Sequence, residues 1–184
     1  MFITYADYYH YAGNDWKINN KPSGCALNII SSLFKLIFNY QADHYRILAI
    51  RYDLHQPSYV DNNKRMTVFF RRLNKQLNAK YAGVDMKYAW VREQAAADSP
   101  HFHILLLLNG QVVNHPHKVS QVCKRIWSDM SGTIYYPKNM YYLVTRNDLT
   151  RLEQLLFRVS YFAKGKDKDK RAAQTKSFGC SRSL

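Results

Sequence analysis

The amino-acid sequence predicts an α+β fold with a mainly antiparallel sheet and helices packed on it. Segments rich in branched and aromatic residues alternate with segments whose apolar residues recur every three or four positions, and two of the strand-like segments follow each other as in a hairpin. The chain has 184 residues, of which 47% are hydrophobic, so it is long enough to form a substantial core. We therefore expect a single domain over residues 1–184.

Periodicity defines the elements in the order α-β-α-β-β-α-β-α. After an arm over residues 1–22, which has no clear period, the predicted elements are a helix over Ser23–Tyr40, a strand over His44–Asp53, a helix over Asp61–Tyr81, a strand over Val84–Gln94, a strand over His101–Leu108, a helix over Val119–Met130, a strand over Met140–Thr145 and a helix from Asn147 or Asp148 to Lys164. The middle six have the β-α-β-β-α-β order of a split, ferredoxin-like core. The basic tail over residues 165–184 includes the charged run Lys166–Arg171, which we expect to be mobile or to order on a ligand.

Turn and cap residues separate these elements. Gly and Pro favour breaks between regular segments, whereas Asn and Asp cap helices or form tight turns. The breaks are Pro22-Ser23-Gly24, Gln56-Pro57-Ser58, Ala82-Gly83, Ala95–Pro100, Asn109-Gly110, Ser131-Gly132 and Asn147-Asp148.

The composition favours a polyanionic partner and a reducing compartment. The chain has 27 Lys and Arg against 13 Asp and Glu, a formal charge of +14, which suits nucleic acid first and an acidic membrane surface second. The cysteines Cys25, Cys123 and Cys180 are odd in number and widely spaced, so they indicate neither a disulfide framework nor a zinc knuckle. The start lacks a signal-peptide pattern, and the apolar segment Cys25–Phe38 is too short to span a membrane. We expect a cytoplasmic protein that does not enter the membrane.

Two histidines flank one apolar residue at the head of the predicted strand His101–Leu108. Alternate side chains of a strand share a face, so His101 and His103 point the same way and together can hold a metal ion. A short hairpin brings Glu93, on the preceding strand, beside His101, and Gln94 takes its place if the parity shifts by one residue. Two imidazoles and a carboxylate leave coordination positions open for a phosphate oxygen or water, as a catalytic metal needs.

Tyr161 is the candidate nucleophile, with Lys164 one helical turn later. At roughly 100° per residue, Tyr161 lies about opposite Leu152, away from the apolar stripe of the last predicted helix. A phenol with a pKa of about 10 is a weak nucleophile at neutral pH, but a metal-polarised phosphate and the Lys164 ammonium ease its deprotonation. The alternative is a surface ring next to a cation that the helix C-terminus favours.

These motifs, in this order and spacing, resemble the HUH endonuclease superfamily of rolling-circle replication initiators and relaxases over about residues 44–180. Trp90-Val91-Arg92-Glu93, followed by the segment His101–Asn109, is similar more narrowly to replication proteins of filamentous phages and related prophages. The resemblance implies an HUH-type fold, nicking of single-stranded DNA at a replication origin, a 5′-phosphotyrosine link to Tyr161 and a free 3′-hydroxyl that primes synthesis. It also implies Mg²⁺ or Mn²⁺ held by His101 and His103, and a bacterial host cytoplasm.

We expect an enzyme that uses one tyrosine. Some members carry two tyrosines a helical turn apart, whereas here Phe157 and Gly165 stand four residues before and after Tyr161. Closing the circle then needs a second molecule, such as the partner in a homodimer on the DNA, or another nucleophile. The sequence has no Gly-x-x-x-x-Gly-Lys-Ser/Thr phosphate loop, so we expect a host helicase and a host polymerase to act with it.

Basic side chains along the chain are predicted to contact the DNA backbone. They are Arg51, Arg92, Arg146, Lys166 and Lys168. The pattern His115-Pro116-His117 repeats the alternation of histidines, but a proline cannot donate to a sheet, so we do not expect a second ligand pair there.

Three other functions remain open from the sequence. An HUH-type transposase or relaxase uses the same chemistry. A non-catalytic binder of single-stranded nucleic acid stacks bases on the rings of its strands and does not need His101 or His103. A zinc hydrolase uses the same three ligands with water as the attacking group and does not need Tyr161.

Overall fold

The computed structural model describes residues 2–93, 100–165 and 175–181. The strands are β1 (Ile3–Thr4), β2 (Tyr8–Tyr11), β3 (Asn14–Lys17), β4 (Cys25–Ala26), β5 (Arg46–His55), β6 (Met86–Glu93), β7 (His101–Asn109), β8 (Thr133–Tyr135), β9 (Tyr141–Thr145) and β10 (Phe178–Cys180). The helices are α1 (Leu27–Asp43), α2 (Lys64–Lys80), α3 (His117–Ser128) and α4 (Leu149–Ser160). A 3₁₀ turn, Tyr161–Ala163, follows α4 directly.

The central sheet confirms the predicted α+β class and the ferredoxin-like order. Its strands lie in the order β10-β6-β7-β5-β8, and β9 also pairs with β5. The run β9-β5-β7-β6 is the antiparallel core, in which α2 crosses over between β5 and β6, and α3 between β7 and β9. Two such crossovers with a strand inserted in each are the split β-α-β units expected from the sequence.

Helices cover both faces of this sheet. Side chains alternate along a strand, so Ile47 and Ala49 of β5 lie in the cluster with α1 and α4, whereas Leu48 and Ile50 lie in the cluster with α2 and α3. The strands β5 and β7 are accordingly buried at nearly every position rather than at every second one. Parity places the odd-numbered residues of β7 on the face covered by α1 and α4.

The amino-terminal arm is more regular than expected. Its strands β2 and β3 form a hairpin through Ala12 and Gly13, which have φ values of 50° and 78°. Two successive positive φ values are typical of the type I′ turn that matches the twist of paired strands. The turn lacks the common Asn-Gly pair, which is why the sequence did not indicate it.

Aromatic packing holds this hairpin on α1. The rings of Tyr9 and Tyr11 contact Phe34, and those of Tyr11 and Trp16 contact Phe38, at centroid distances of 5.1 to 5.8 Å. These tertiary contacts, rather than local periodicity, determine the structure of the arm. Among the described residues, none of the helices has the length and apolar character needed to cross a membrane.

Several boundaries differ from the prediction for identifiable reasons. The first helix begins at Leu27 rather than Ser23, because Gly24 has a φ of 67° and Cys25–Ala26 pair with β1. The last helix ends at Ser160 and continues as the 3₁₀ turn. Asp148 is its cap and accepts a hydrogen bond from the backbone of Arg151.

Two short edge strands are additional to the prediction. In β8, Thr133–Tyr135 pair with the end of β5, and in β10, Phe178–Cys180 pair with β6. Residues 178–180 of the basic tail pair with β6, so their backbone is hydrogen-bonded at the edge of the sheet. The charged run Lys166–Arg171 lies outside the described residues.

Candidate metal and tyrosine site

Three side chains meet where the β6–β7 hairpin lies on the face covered by α1 and α4. Glu93 is paired directly with His101, as the hairpin prediction required. Its Oε2 lies 2.6 Å from Nε2 of His103 and 3.2 Å from Nε2 of His101. One ligand atom from each of the three residues lies within 4.8 Å of the others. The alternative ligand Gln94 lies outside the described residues.

A carboxylate on β5 orients His103 from the other side. Asp53 is the cross-strand partner of His103, and its Oδ1 lies 2.7 Å from Nδ1 of that ring. Asp53 is itself bonded to Arg51, two residues earlier on the same face, at 3.3 Å. A carboxylate bonded to one nitrogen of a histidine fixes the ring and leaves the other nitrogen directed at the metal position.

Both carboxylates bear on the protonation of His103. Burial acts to lower the pKa of His103, but hydrogen bonds to Asp53 and Glu93 outweigh burial and raise the pKa above its ordinary value. Burial likewise acts to raise the pKa of Asp53, but the hydrogen bonds and positive charges of His103 and Arg51 together outweigh burial, so the pKa of Asp53 is lowered. Carboxylate oxygens at both nitrogens favour the protonated ring, which can donate from both of them.

Tyr161 lies over this cluster although 58 positions separate it from His103 in the sequence. The two rings contact edge to face with centroids 5.5 Å apart. Burial and the charge of Glu93 raise the pKa of Tyr161, against the opposing effect of Arg51, so Tyr161 is a neutral phenol at pH 7. The contact between Tyr161 and His103 shows that the end of the last helix lies over the histidine face of the sheet. The assignment of Tyr161 as nucleophile requires this position.

Two cations flank the tyrosine ring. The ammonium of Lys164 lies 4.6 Å from the centroid of the Tyr161 ring, and the guanidinium carbon of Arg51 lies 4.8 Å from it. Positive charge over an aromatic face is favourable, and the same charge stabilises an anion that forms on the phenol oxygen. The predicted pair of Tyr161 and Lys164 is thus close in space to the three candidate ligands.

Three neighbours of the site were missed by sequence reasoning. Asp53 holds His103, the ring of Phe162 stacks on His103 at 5.4 Å, and the ring of His55 stacks on His101 at 5.3 Å. Side chains alternate along a strand, so the polar side chains of Arg51, Asp53 and His55 share one face of their strand. Only the register of β5 against β7 indicates that this face meets the histidines.

The predicted DNA contacts have other surroundings. Arg51 is 7% exposed and bonded to Asp53, so it belongs to the site rather than to a surface that follows a DNA backbone. Arg92 is 3% exposed and donates to the carbonyls of Val60 and Asn62, so its hydrogen bonds hold the loop before α2. A buried guanidinium with these partners offers little surface to a DNA backbone, so the structure adds no support for Arg51 or Arg92 as a surface phosphate contact, and both stay predictions.

The remaining predicted contacts differ from these. Arg146 is exposed and donates to the carbonyls of Gln41 and Ala42 at the end of α1, where a cation is favourable. Lys166 and Lys168 lie outside the described residues. His117 begins α3 directly after Pro116, so the second pair of histidines is not on a strand, as expected.

Comparison with known protein families finds a match over most of the chain. Residues 10–181 match the YagK/YfjJ C-terminal domain, a segment that contains Glu93, His101, His103 and Tyr161. A protein of Escherichia coli strain K12, named "Uncharacterized protein YagK", is 24% identical over 189 residues, which cover 82% of this chain and 90% of the relative. No solved structure matches the chain. Because the matched segment spans most of the sequence, the chain belongs to the YagK/YfjJ C-terminal domain family.

Proposed function

We propose that this protein nicks single-stranded DNA by attack of Tyr161 on a phosphodiester at a metal site, and that it initiates rolling-circle replication at an origin. The product is a 5′-phosphotyrosine and a free 3′-hydroxyl. Transposition and conjugative transfer use the same step, and replication is preferred because the segments around Glu93 and His101 resemble those of phage initiators.

The observation that carries the proposal is the position of His103. Its Nε2 lies 2.6 Å from Glu93, and its ring contacts Tyr161, so the ligand set and the nucleophile form one site. A cluster built only for stability would not need a half-buried phenol with two cations close to its ring. An activated nucleophile beside a metal site is an arrangement expected of phosphoryl transfer.

The donor set fits a divalent cation. Glu93, His101 and His103 supply one carboxylate and two imidazoles, and Asp53 orients His103 from the side away from Glu93. A bound Mg²⁺ or Mn²⁺ supplies Lewis-acid polarisation of a phosphate oxygen. Mixed oxygen and imidazole ligands suit Mn²⁺ at least as well as Mg²⁺, which prefers oxygen.

The protein's own groups carry the displacement. The phenol oxygen of Tyr161 forms a bond to phosphorus, the bond from phosphorus to the 3′ oxygen breaks, and the proton lost by the phenol is balanced by the proton that the 3′ oxygen gains. Because burial raises the pKa of Tyr161, the phenol is protonated before DNA binds, and its proton has to leave before or during attack. The ammonium of Lys164 and the guanidinium of Arg51 are placed to stabilise the negative charge that develops.

A covalent adduct is the test of this proposal. The native protein is incubated with circular single-stranded DNA that carries the cognate origin and with Mn²⁺, and adducts are resolved on a denaturing gel. We expect an adduct with the native chain, and we expect none with Tyr161→Phe, which lacks only the attacking oxygen. Loss of a nucleophile typically reduces turnover by a factor of about 10⁴ or more.

The matched control is Tyr141→Phe, which removes the same oxygen from an exposed tyrosine on the other face of the sheet. It should form the adduct as the native chain does. Cleavage without an adduct that survives Tyr161→Phe would favour a hydrolase that uses water. Binding without cleavage, unchanged by His101→Ala and His103→Ala, would favour a non-catalytic binder.

A further inference from the structure

The face that carries Glu93, His101 and His103 continues sideways onto the edge strand β8. In an antiparallel pair, directly opposed residues point to the same face. Tyr135 opposes Asp53, which in turn opposes His103. Thr133 opposes His55, which in turn opposes His101.

The side chains at this edge are open to solvent. Tyr135 is 58% exposed, and His55 and Thr133 are exposed as well. Ile134, between the two β8 residues, points to the opposite face and packs in the cluster with α2 and α3. The backbone of β8 is thereby anchored by Ile134 and by its pairing with β5, while the ring of Tyr135 stays uncovered.

The neighbouring positive charge suits a phosphate chain. Arg158, in the last turn of α4, donates to the carbonyl of Lys138 in the loop that follows β8. The guanidinium of Arg158 therefore lies at the loop after Tyr135, in a chain with a formal charge of +14.

We propose that Tyr135, on the same face as His55, is a stacking platform for a base of the single strand next to the phosphate at Glu93, His101 and His103. This inference rests on the proposed function and adds the position of the neighbouring nucleotide. Neighbouring strands lie about 4.8 Å apart, so the backbone of Tyr135 is roughly 10 Å from that of His103. An adjacent nucleotide spans such a distance, and stacking on tyrosine does not require a particular base.

Binding is measured separately from cleavage. The full chain is titrated into a fluorescent oligothymidylate of about 15 nucleotides, with EDTA to prevent nicking and with about 0.2 M salt to weaken phosphate contacts. We expect Tyr135→Ala to weaken binding about tenfold, the loss typical of one stacked base. Tyr135→Phe keeps the ring and should bind within about twofold of the native chain.

Two controls isolate the stacking. Tyr141→Ala removes an exposed tyrosine that opposes Ile50 and therefore points to the other face, so its affinity should be unchanged. An abasic oligonucleotide of the same length should bind the native chain and Tyr135→Ala equally, because no base is present to stack.

The results separate this inference from the proposed function. If Tyr135→Ala binds oligothymidylate as the native chain does, or if it weakens binding of the abasic strand equally, the platform is wrong even when the Tyr161 adduct forms. If Tyr135→Phe binds oligothymidylate as weakly as Tyr135→Ala does, stacking on the ring does not supply the affinity, and the inference is also overturned. A specific loss with Tyr135→Ala in a protein that forms no adduct would support the platform and contradict nicking.

Discussion

At the scale of single residues, the candidate site depends on His103. The ring is 4% exposed, and each of its nitrogens is bonded to a carboxylate, Asp53 on one side and Glu93 on the other. Burial alone would favour the neutral ring, so the carboxylates decide its charge in the metal-free protein. Glu93 can turn toward a metal together with His103, whereas Asp53 is held by Arg51 and remains an orienting group.

Asp53→Asn should weaken metal binding. Loss of the carboxylate frees the orientation of His103 and lowers the basicity of its ligand nitrogen, and such changes typically reduce affinity about 10- to 100-fold. Titration calorimetry with Mn²⁺ measures the effect. The variant also leaves the Arg51 guanidinium without its partner, so we expect the free energy of unfolding to fall by about 3 kcal/mol.

The matched control is Asp85→Asn, which alters a second Asp–His contact. There Oδ2 of Asp85 lies 3.0 Å from Nε2 of His44, away from the site. This variant should keep native Mn²⁺ affinity. Equal affinities for the native chain and Asp53→Asn would contradict the orienting role of Asp53.

At the scale of elements, the end of α4 connects the core to the site. The apolar stripe of α4 includes Leu152, Leu155, Leu156 and Val159, all buried against the face of the sheet that carries the histidines. The helix then tightens into the 3₁₀ turn, in which Phe162 is buried and Tyr161 is half-buried. Phe162 stacks on His103, so the packing of this turn also determines where the Tyr161 phenol lies.

Phe162→Ala should reduce both stability and adduct formation. Truncation of a fully buried Phe usually costs about 3 to 5 kcal/mol, measured here by denaturant unfolding. The cavity also removes the ring that supports His103, so the rate of adduct formation should fall under conditions where the variant is folded.

Phe157→Ala is the control, because it makes the same truncation at a residue of α4 that is 37% exposed. We expect a loss of at most about 1 kcal/mol and a native rate. If the two variants lost stability equally, or if folded Phe162→Ala kept the native rate, the proposed coupling of core and site would be contradicted.

At the scale of the whole molecule, the site joins segments that are distant in the sequence. β5, the β6–β7 hairpin and the turn after α4 each contribute to it. A metal ion bound there contacts the folded state and not the unfolded chain, so it stabilises the entire domain. At a concentration 100 times its dissociation constant this amounts to about 2.7 kcal/mol, or roughly 5 to 10 °C in unfolding temperature for a chain of this size.

The stabilisation by Mn²⁺ should increase with pH. Because the pKa of His103 is raised, its protonated form stabilises the metal-free fold below about pH 6.5, and that contribution is lost as the pH rises through the raised value. A metal ion held by Nε2 of His103 would take its lone pair and release this proton, so binding would be favoured at higher pH. We expect a larger Mn²⁺-induced increase in unfolding temperature at about pH 8 than at about pH 6, measured by calorimetry.

The control for this measurement is Glu93→Gln, which removes the charged ligand. Mn²⁺ should raise its unfolding temperature much less at either pH. An increase that is the same at both pH values in the native protein would contradict displacement of a proton from His103.

The sequence by itself determined the order of the core elements and the three candidate ligands. Strand parity places His101 and His103 on one face, and a direct hairpin carries Glu93 to them, so these relations need only local geometry. The same holds for the helices α2, α3 and α4, whose apolar spacing is visible in the sequence and whose ends shifted by a few residues. Local periodicity is sufficient wherever the partner is a sequence neighbour.

Only the tertiary structure decided which distant groups join the site. Asp53 orients His103 because β5 pairs with β7 in one register, and a shift of that register by one residue would turn Asp53 to the opposite face. Arg51, expected at the surface, is buried beside Asp53 for the same reason. Tyr135 reaches the edge of the site through β8, a strand of three residues that is too short to show a period. Register and edge pairing depend on contacts between segments far apart in the chain, so local spacing does not specify them.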